Sequence, residues 1–166
     1  MATKPDLESA ACPKIVNDER IVLMGLLTEA TARLHRELDV ELERSSGMPL
    51  GFFDVLVRIR RSPEGRLTMS EVAKQTVYTS GGTTRLIDRI ADAGYVQRAN
   101  CPSDRRTTYV ELTAKGLKAL DAAMVAHLVH LETHLTSKLS ETERSVLIAA
   151  LTKLNGGSTS CARSEV

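Results

Sequence analysis

Residues 68–113 read TMSEVAKQTVYTSGGTTRLIDRIADAGYVQRANCPSDRRTTYVELT, and the period of their apolar residues decides the fold. Thr68 opens a short helix, and Glu71 three residues on completes a capping box in which each side chain bonds the other's backbone N–H. Val72 and Ala73 give that helix an apolar side, and Gln75 to Tyr78 form a turn. Thr79 or Ser80 can cap a second helix by accepting a free N–H of its first turn. Leu86, Ile87, Ile90 and Ala93 mark its buried face, and Gly94 ends it as a residue that tolerates positive φ. Past Gly94 the period becomes that of strands. Tyr95 to Arg98 and Thr107 to Leu112 are β-branched and aromatic, and Cys101 to Arg106 make a turn with two arginines at its tip.

Helix, turn, helix and basic hairpin follow in the winged helix-turn-helix order. The pattern Asp104-x-Arg106-x5-Leu112-Thr113 resembles the wing signature of the MarR family of transcription regulators. Thr84-Arg85-Leu86-Ile87-Asp88-Arg89-Ile90, ending in Gly94-Tyr95-Val96-x-Arg98, is similar to that family's recognition helix and first wing strand. The resemblance covers roughly residues 18–154, with its specific motifs in 79–113. It implies a mainly α fold with a small β-hairpin wing, in which terminal helices form a dimer interface. It further implies a homodimeric repressor on an inverted repeat of double-stranded DNA, released by a small anionic or phenolic effector bound between the terminal helices and the lobe.

The DNA-contact residues expected on this reading are Ser70, Thr79, Ser80, Gly81, Gly82, Thr83, Thr84, Arg85, Arg89, Asp104, Arg105 and Arg106. Small residues let the recognition helix approach DNA closely, and its N-terminus attracts phosphate. The hydroxyls can bond phosphates or bases, and Arg85 can pair bidentately with a guanine edge. Asp88 is expected to orient Arg85 or Arg89. Gly81 and Gly82 depart from the commoner polar pattern of the family and weaken the helix start by roughly 1 kcal/mol each relative to Ala. On the wing, Arg105 and Arg106 reach the minor groove or its phosphates, and Asp104 orients Arg106 by an ion pair.

Outward from this stretch the chain is helical. Asn17 is expected to cap a long helix with Asp18 and Glu19 in its first turn, where the helix dipole favours anions. Leu23, Leu27, Ala30, Leu34, Leu38 and Leu42 stripe it as far as Ser45-Ser46-Gly47. Leu50 to Arg61 is a shorter helix that brings Phe52, Phe53, Leu56 and Ile59 to the core, and Pro63 and Gly65 stop it. Arg66-Leu67 can add a short strand beside the wing. Thr113 begins a second long helix with Leu117, Leu120, Met124, Leu128, Leu131 and Leu135 as its stripe. Ser140 and Glu143 make another capping box before a last helix carrying Leu147, Ala150, Leu151 and Leu154. The organisation is therefore a tail over 1–13, a helical dimerisation region over 14–49 and 113–155, a winged lobe over 50–112, and a tail over 156–166.

Charge supports this division. Residues 50–118 hold 12 Lys or Arg against 7 Asp or Glu, a net +5, while the remainder holds 10 against 14, a net −4. The basic excess falls on the helix-turn-helix segment, which suits a polyanion partner. With 42% hydrophobic residues the chain can build a core, and with 3% aromatic and no Trp that core is aliphatic, as helix packing favours. No window of about 18 apolar residues could span a membrane. The N-terminus lacks the apolar stretch of a signal peptide, so a cytoplasmic location is expected.

His127, His130 and His134 share one strip of the second long helix, flanking its leucines at the edge of the dimer seam. Imidazoles so spaced can share a metal, but no Cys or carboxylate stands on the strip, and no cofactor is expected. Cys12, Cys101 and Cys161 are too scattered for a disulfide framework. A metal- or redox-sensing regulator, the latter through Cys12, and a helical protein–protein adaptor without DNA are the alternatives. No nucleotide loop, Ser/His/Asp order or paired-carboxylate motif points to an enzyme.

Overall fold

A computed structural model describes residues 17–76, 80–100 and 107–156. Of the expected turn Gln75 to Tyr78, residues 77 and 78 lie outside the described residues, as do the cap candidate Thr79, the wing tip with Asp104, Arg105 and Arg106, residues 1–13 and 157–166 of the tails, and all three cysteines. Residues up to Arg36 form one unit and Glu37 onward another.

Helix α1 (Glu19–Ser46) runs through the end of the first unit into the second. Its first turn is closed by Asp18, one residue beyond the expected cap Asn17. The Asp18 carboxylate accepts the Arg20 backbone N–H at 3.0 Å, and its carbonyl accepts the N–H groups of Ile21 and Val22. The same carboxylate pairs with the Arg20 guanidinium at 2.8 Å, which holds its pKa below the usual carboxylate range.

In the second unit, α2 (Leu50–Arg61) spans the residues its apolar pattern predicts. Then come β1 (Arg66–Thr68), α3 (Met69–Gln75), α4 (Ser80–Asp92), β2 (Val96–Asn100) and β3 (Thr108–Leu112). The long α5 (Ala114–His134), a 3-10 turn and α6 (Glu141–Leu154) follow. The sheet is antiparallel in the order β1-β3-β2, so the strand suggested by Arg66-Leu67 does lie beside the wing. Val110 is opposite Leu67 on one side and Arg98 on the other. Val55, Leu56 and Ile59 of α2, Val72 of α3, Ile87 and Ile90 of α4, Val110 of β3 and Leu120 of α5 make the core. Both capping boxes form: Thr68 with Glu71, and Ser140 with Glu143.

Two expectations are corrected by backbone geometry. Tyr95 belongs to the end of α4 rather than to a strand, because its N–H donates to the Ile90 carbonyl at 3.1 Å while the Gly94 N–H donates to Ala91 at 2.8 Å. That pair of bonds is a Schellman closure, with Gly94 at φ +75°. The leucine stripe of α5 is also rotated from its true inner face. Gly116, Leu120, Ala123 and His127 are buried, whereas Leu117 and Leu128 are 37% and 59% exposed. The close approach of Gly116 to Tyr95 fixes which side of α5 turns inward. Neither α6 nor the first turns of α1 contain a buried residue.

Candidate nucleic-acid interface

Helix α4 has two unlike faces. Leu86, Ile87 and Ile90 are buried, and Gly81, Thr84, Arg85 and Arg89 are exposed on the other side. Ser70, in the first turn of α3, is exposed as well. A Cβ at Gly81 would meet nothing within 4 Å, so packing within the chain does not require glycine there. Thr83 corrects the expected contact set: it is only 1% exposed, and its hydroxyl lies 3.5 Å from that of Thr76. It faces the α3–α4 joint and is not offered to bases.

The arginines divide their roles. Arg89 places its guanidinium 5.3 Å from the centre of the Phe52 ring, over the first turn of α2. Asp88 orients neither Arg85 nor Arg89 as expected from the sequence. It pairs with Arg98 of β2 at 2.7 Å and so ties the helix to the wing. Both partners are substantially exposed, so this bridge contributes orientation more than stability. Arg66 stands in the sequence only as part of the short strand expected beside the wing. It lies 4.1 Å from the centre of the Tyr109 ring and 2.8 Å from Glu64, securing β1 to β3. Its signal was present only as a cation predicted beside an aromatic strand.

The histidine strip packs against its own chain: His127 is buried, and His130 and His134 are half-buried. His127 is 9% exposed, its ring centre is 4.5 Å from that of Phe53, and its buried Nδ1 has no hydrogen-bond partner among the described residues. Burial, and after it the neighbouring His130, push its pKa down. Carboxylates do stand near the strip, supplied by α1. His134 Nδ1 lies 3.1 Å from Glu37, and His130 lies 3.1 Å from the Ser45 hydroxyl and 4.0 Å from Glu41. Among the described residues no group of three or more His, Cys, Asp or Glu is placed to hold a metal ion. No described helix is long and apolar enough to cross a membrane.

A paired α3–α4 unit backed by a three-stranded sheet, with an arginine-bearing helix face left open, defines a winged helix-turn-helix protein. A sequence model of the MarR family matches residues 46–107. An HTH-type transcriptional regulator from Bacillus cereus is 32% identical over 103 residues, 62% of this chain and 67% of the relative. A MarR family regulator from Streptomyces coelicolor, solved in complex with DNA, superposes with a TM-score of 0.75 at 28% identity over 85% of this chain and 91% of that one. A mutant MarR from Escherichia coli complexed with operator DNA gives 0.73 at 27% identity, covering 88% and 99%. The chain belongs to the MarR family of transcription regulators.

Proposed function

We propose that this regulator acts in the cytoplasm as a homodimeric repressor, binds an inverted repeat through α4 and the wing, and is released by a small anionic or phenolic effector. One observation carries the reading. The large apolar residues exposed among the described residues are confined to α1, α5 and α6, while the exposed residues of α4 are Gly81, Thr84, Arg85 and Arg89, with Asp92 at its far end. Met24, Leu26, Val125, Val129, Ile148 and Leu154 are among the former. Each such side chain contributes roughly 1.5–3 kcal/mol when removed from water, which favours a second copy covering these helices. Within α4, Thr84 and Arg85 are the side chains proposed to read bases. Ser70, Arg89 and the helix start would hold phosphates, and the wing arginines Arg105 and Arg106 would follow the backbone. Thr79 and Ser80 stay in the contact set with Gly81 and Gly82, whose lack of side chains lets the backbone come near. The DNA complexes of the two structural relatives support the choice of partner.

Two-fold symmetry would place the two α4 helices about one helical turn, roughly 10 base pairs, apart. Selecting duplexes from a random pool should therefore return an inverted repeat with that spacing. Inserting five base pairs between its halves should abolish two-handed binding, and retention of full affinity would refute the symmetric reading. Candidate aromatic carboxylates and phenols are then added to the selected duplex complex, and release by one of them identifies the effector class.

A further inference from the structure

Three successive carbonyls past the end of α4 are all taken by the first turn of α5. The Lys115 ammonium donates to the Ala93 carbonyl at 2.7 Å. The Thr113 hydroxyl donates to Gly94 at 2.7 Å, and the Thr113 N–H donates to Tyr95 at 3.0 Å. Lys115 Nζ also lies 5.3 Å from the centre of the Tyr95 ring. One residue on, a Cβ at Gly116 would stand 1.9 Å from the Tyr95 oxygen, so the two backbones touch where only glycine fits. The Thr113 hydroxyl in turn accepts the Gly116 N–H at 2.9 Å, which binds the same turn to itself. A cation at helix-terminal carbonyls is also favoured by the helix dipole.

These contacts differ in kind from those along the rest of α4. Leu86, Ile87 and Ile90 set how deeply the helix sits, but apolar packing is non-directional. Hydrogen bonds at one end are directional and fix its angle. We propose that Lys115 and Thr113 are positioning residues for DNA reading: they clamp the C-terminal end of α4 to α5 and so hold Thr84 and Arg85 in one register against the groove. The proposal rests on α4 being the reading helix. Lys115 acts from behind that helix and touches no DNA.

The test uses the full-length protein with two duplexes of equal length, the tightest one selected by the wild type and a scrambled control. Lys115→Met keeps the stem beside Tyr95 and removes the donor, and Thr113→Val removes the hydroxyl. Each should weaken the selected duplex about fivefold and the scrambled one less than twofold, with the salt dependence of binding unchanged. Lys115→Arg should restore selectivity. Thr113→Val also removes an N-cap and can lower stability, so Lys115→Met, with thermal unfolding measured alongside, decides the matter. Equal weakening on both duplexes with a shallower salt slope would make Lys115 a phosphate contact and overturn the proposal. An unchanged ratio between the duplexes, with or without a lower melting temperature, would overturn it as well. A wild type that selects no duplex would refute DNA reading by α4 itself, whereas variants that behave like a selective wild type refute the clamp alone.

Discussion

Arg85 leaves α4 on its exposed face, beside the buried Leu86 and Ile87. Replacing it with Ala should cost about 1–3 kcal/mol of operator binding and relax preference at one symmetric position in each half-site. Binding to a panel of single-position operator variants measures this, and a uniform loss across the panel would assign Arg85 to the phosphates instead. His127 gives a prediction of another kind. Its neutral form is favoured in the fold because burial pushes the pKa below the ordinary value of 6.5. The folded protein therefore takes up fewer protons than the unfolded chain. The contribution of His127 to stability is whole above about pH 6.5 and is lost as pH falls below it. Phe53 covers its ring, His130 adds like charge when protonated, and Glu41 and Glu37 of α1 stand nearest those other histidines. Urea unfolding at about pH 7.5 and about pH 5.5 should show a larger loss for the wild type than for His127→Leu. Equal losses would place the acid sensitivity elsewhere.

At the scale of elements, α3 has seven residues and leans on its cap. The Thr68 hydroxyl accepts the Glu71 N–H at 3.2 Å, and the Glu71 carboxylate accepts the Thr68 N–H at 2.7 Å. The Thr68 N–H and, after it, the Thr68 hydroxyl, both donating to that carboxylate, hold the Glu71 pKa below its ordinary value. Thr68→Ala should lower unfolding stability by about 1 kcal/mol, and Thr68→Ser should recover most of it. A loss under about 0.3 kcal/mol in chemical denaturation would show the box to be idle. Such features were legible in the sequence because they are local: a capping box needs four residues, and Leu50 to Arg61 ends where Pro63 and Gly65 follow. What was not legible depends on the chain meeting itself. Leucine-rich α5 offers two apolar strips, and only the contact of Gly116 with Tyr95 selects the one through Leu120 and His127. The pairing of Asp88 with Arg98 needs β2 in place, and Thr83 turns inward because Thr76 waits there. The helix-turn-helix was thus readable as a unit, while the division of its residues between exposed face and core was not.

For the whole molecule, the decisive question is what covers α1, α5 and α6. Val129 and Leu151 are exposed in the single chain, so Val129→Glu and Leu151→Glu should leave its own fold intact. Together they should halve the mass seen in sedimentation at micromolar concentration and abolish binding to the two-site duplex. An unchanged dimeric mass would remove these faces from the interface. The contact between Gly116 and Tyr95 has a mechanical consequence for such an assembly. Helix α5 is a lever pivoted near one end: its 21 residues extend about 32 Å at 1.5 Å each. A tilt of about 5° moves its far end by about 3 Å. Carried through the same pivot, it moves the free end of the 13-residue α4 by about 1.7 Å, half the rise from one base pair to the next. A displacement no larger than a side chain's change of rotamer, applied at the distant end of α5, would be enough to put α4, if it reads bases as proposed, out of step with them.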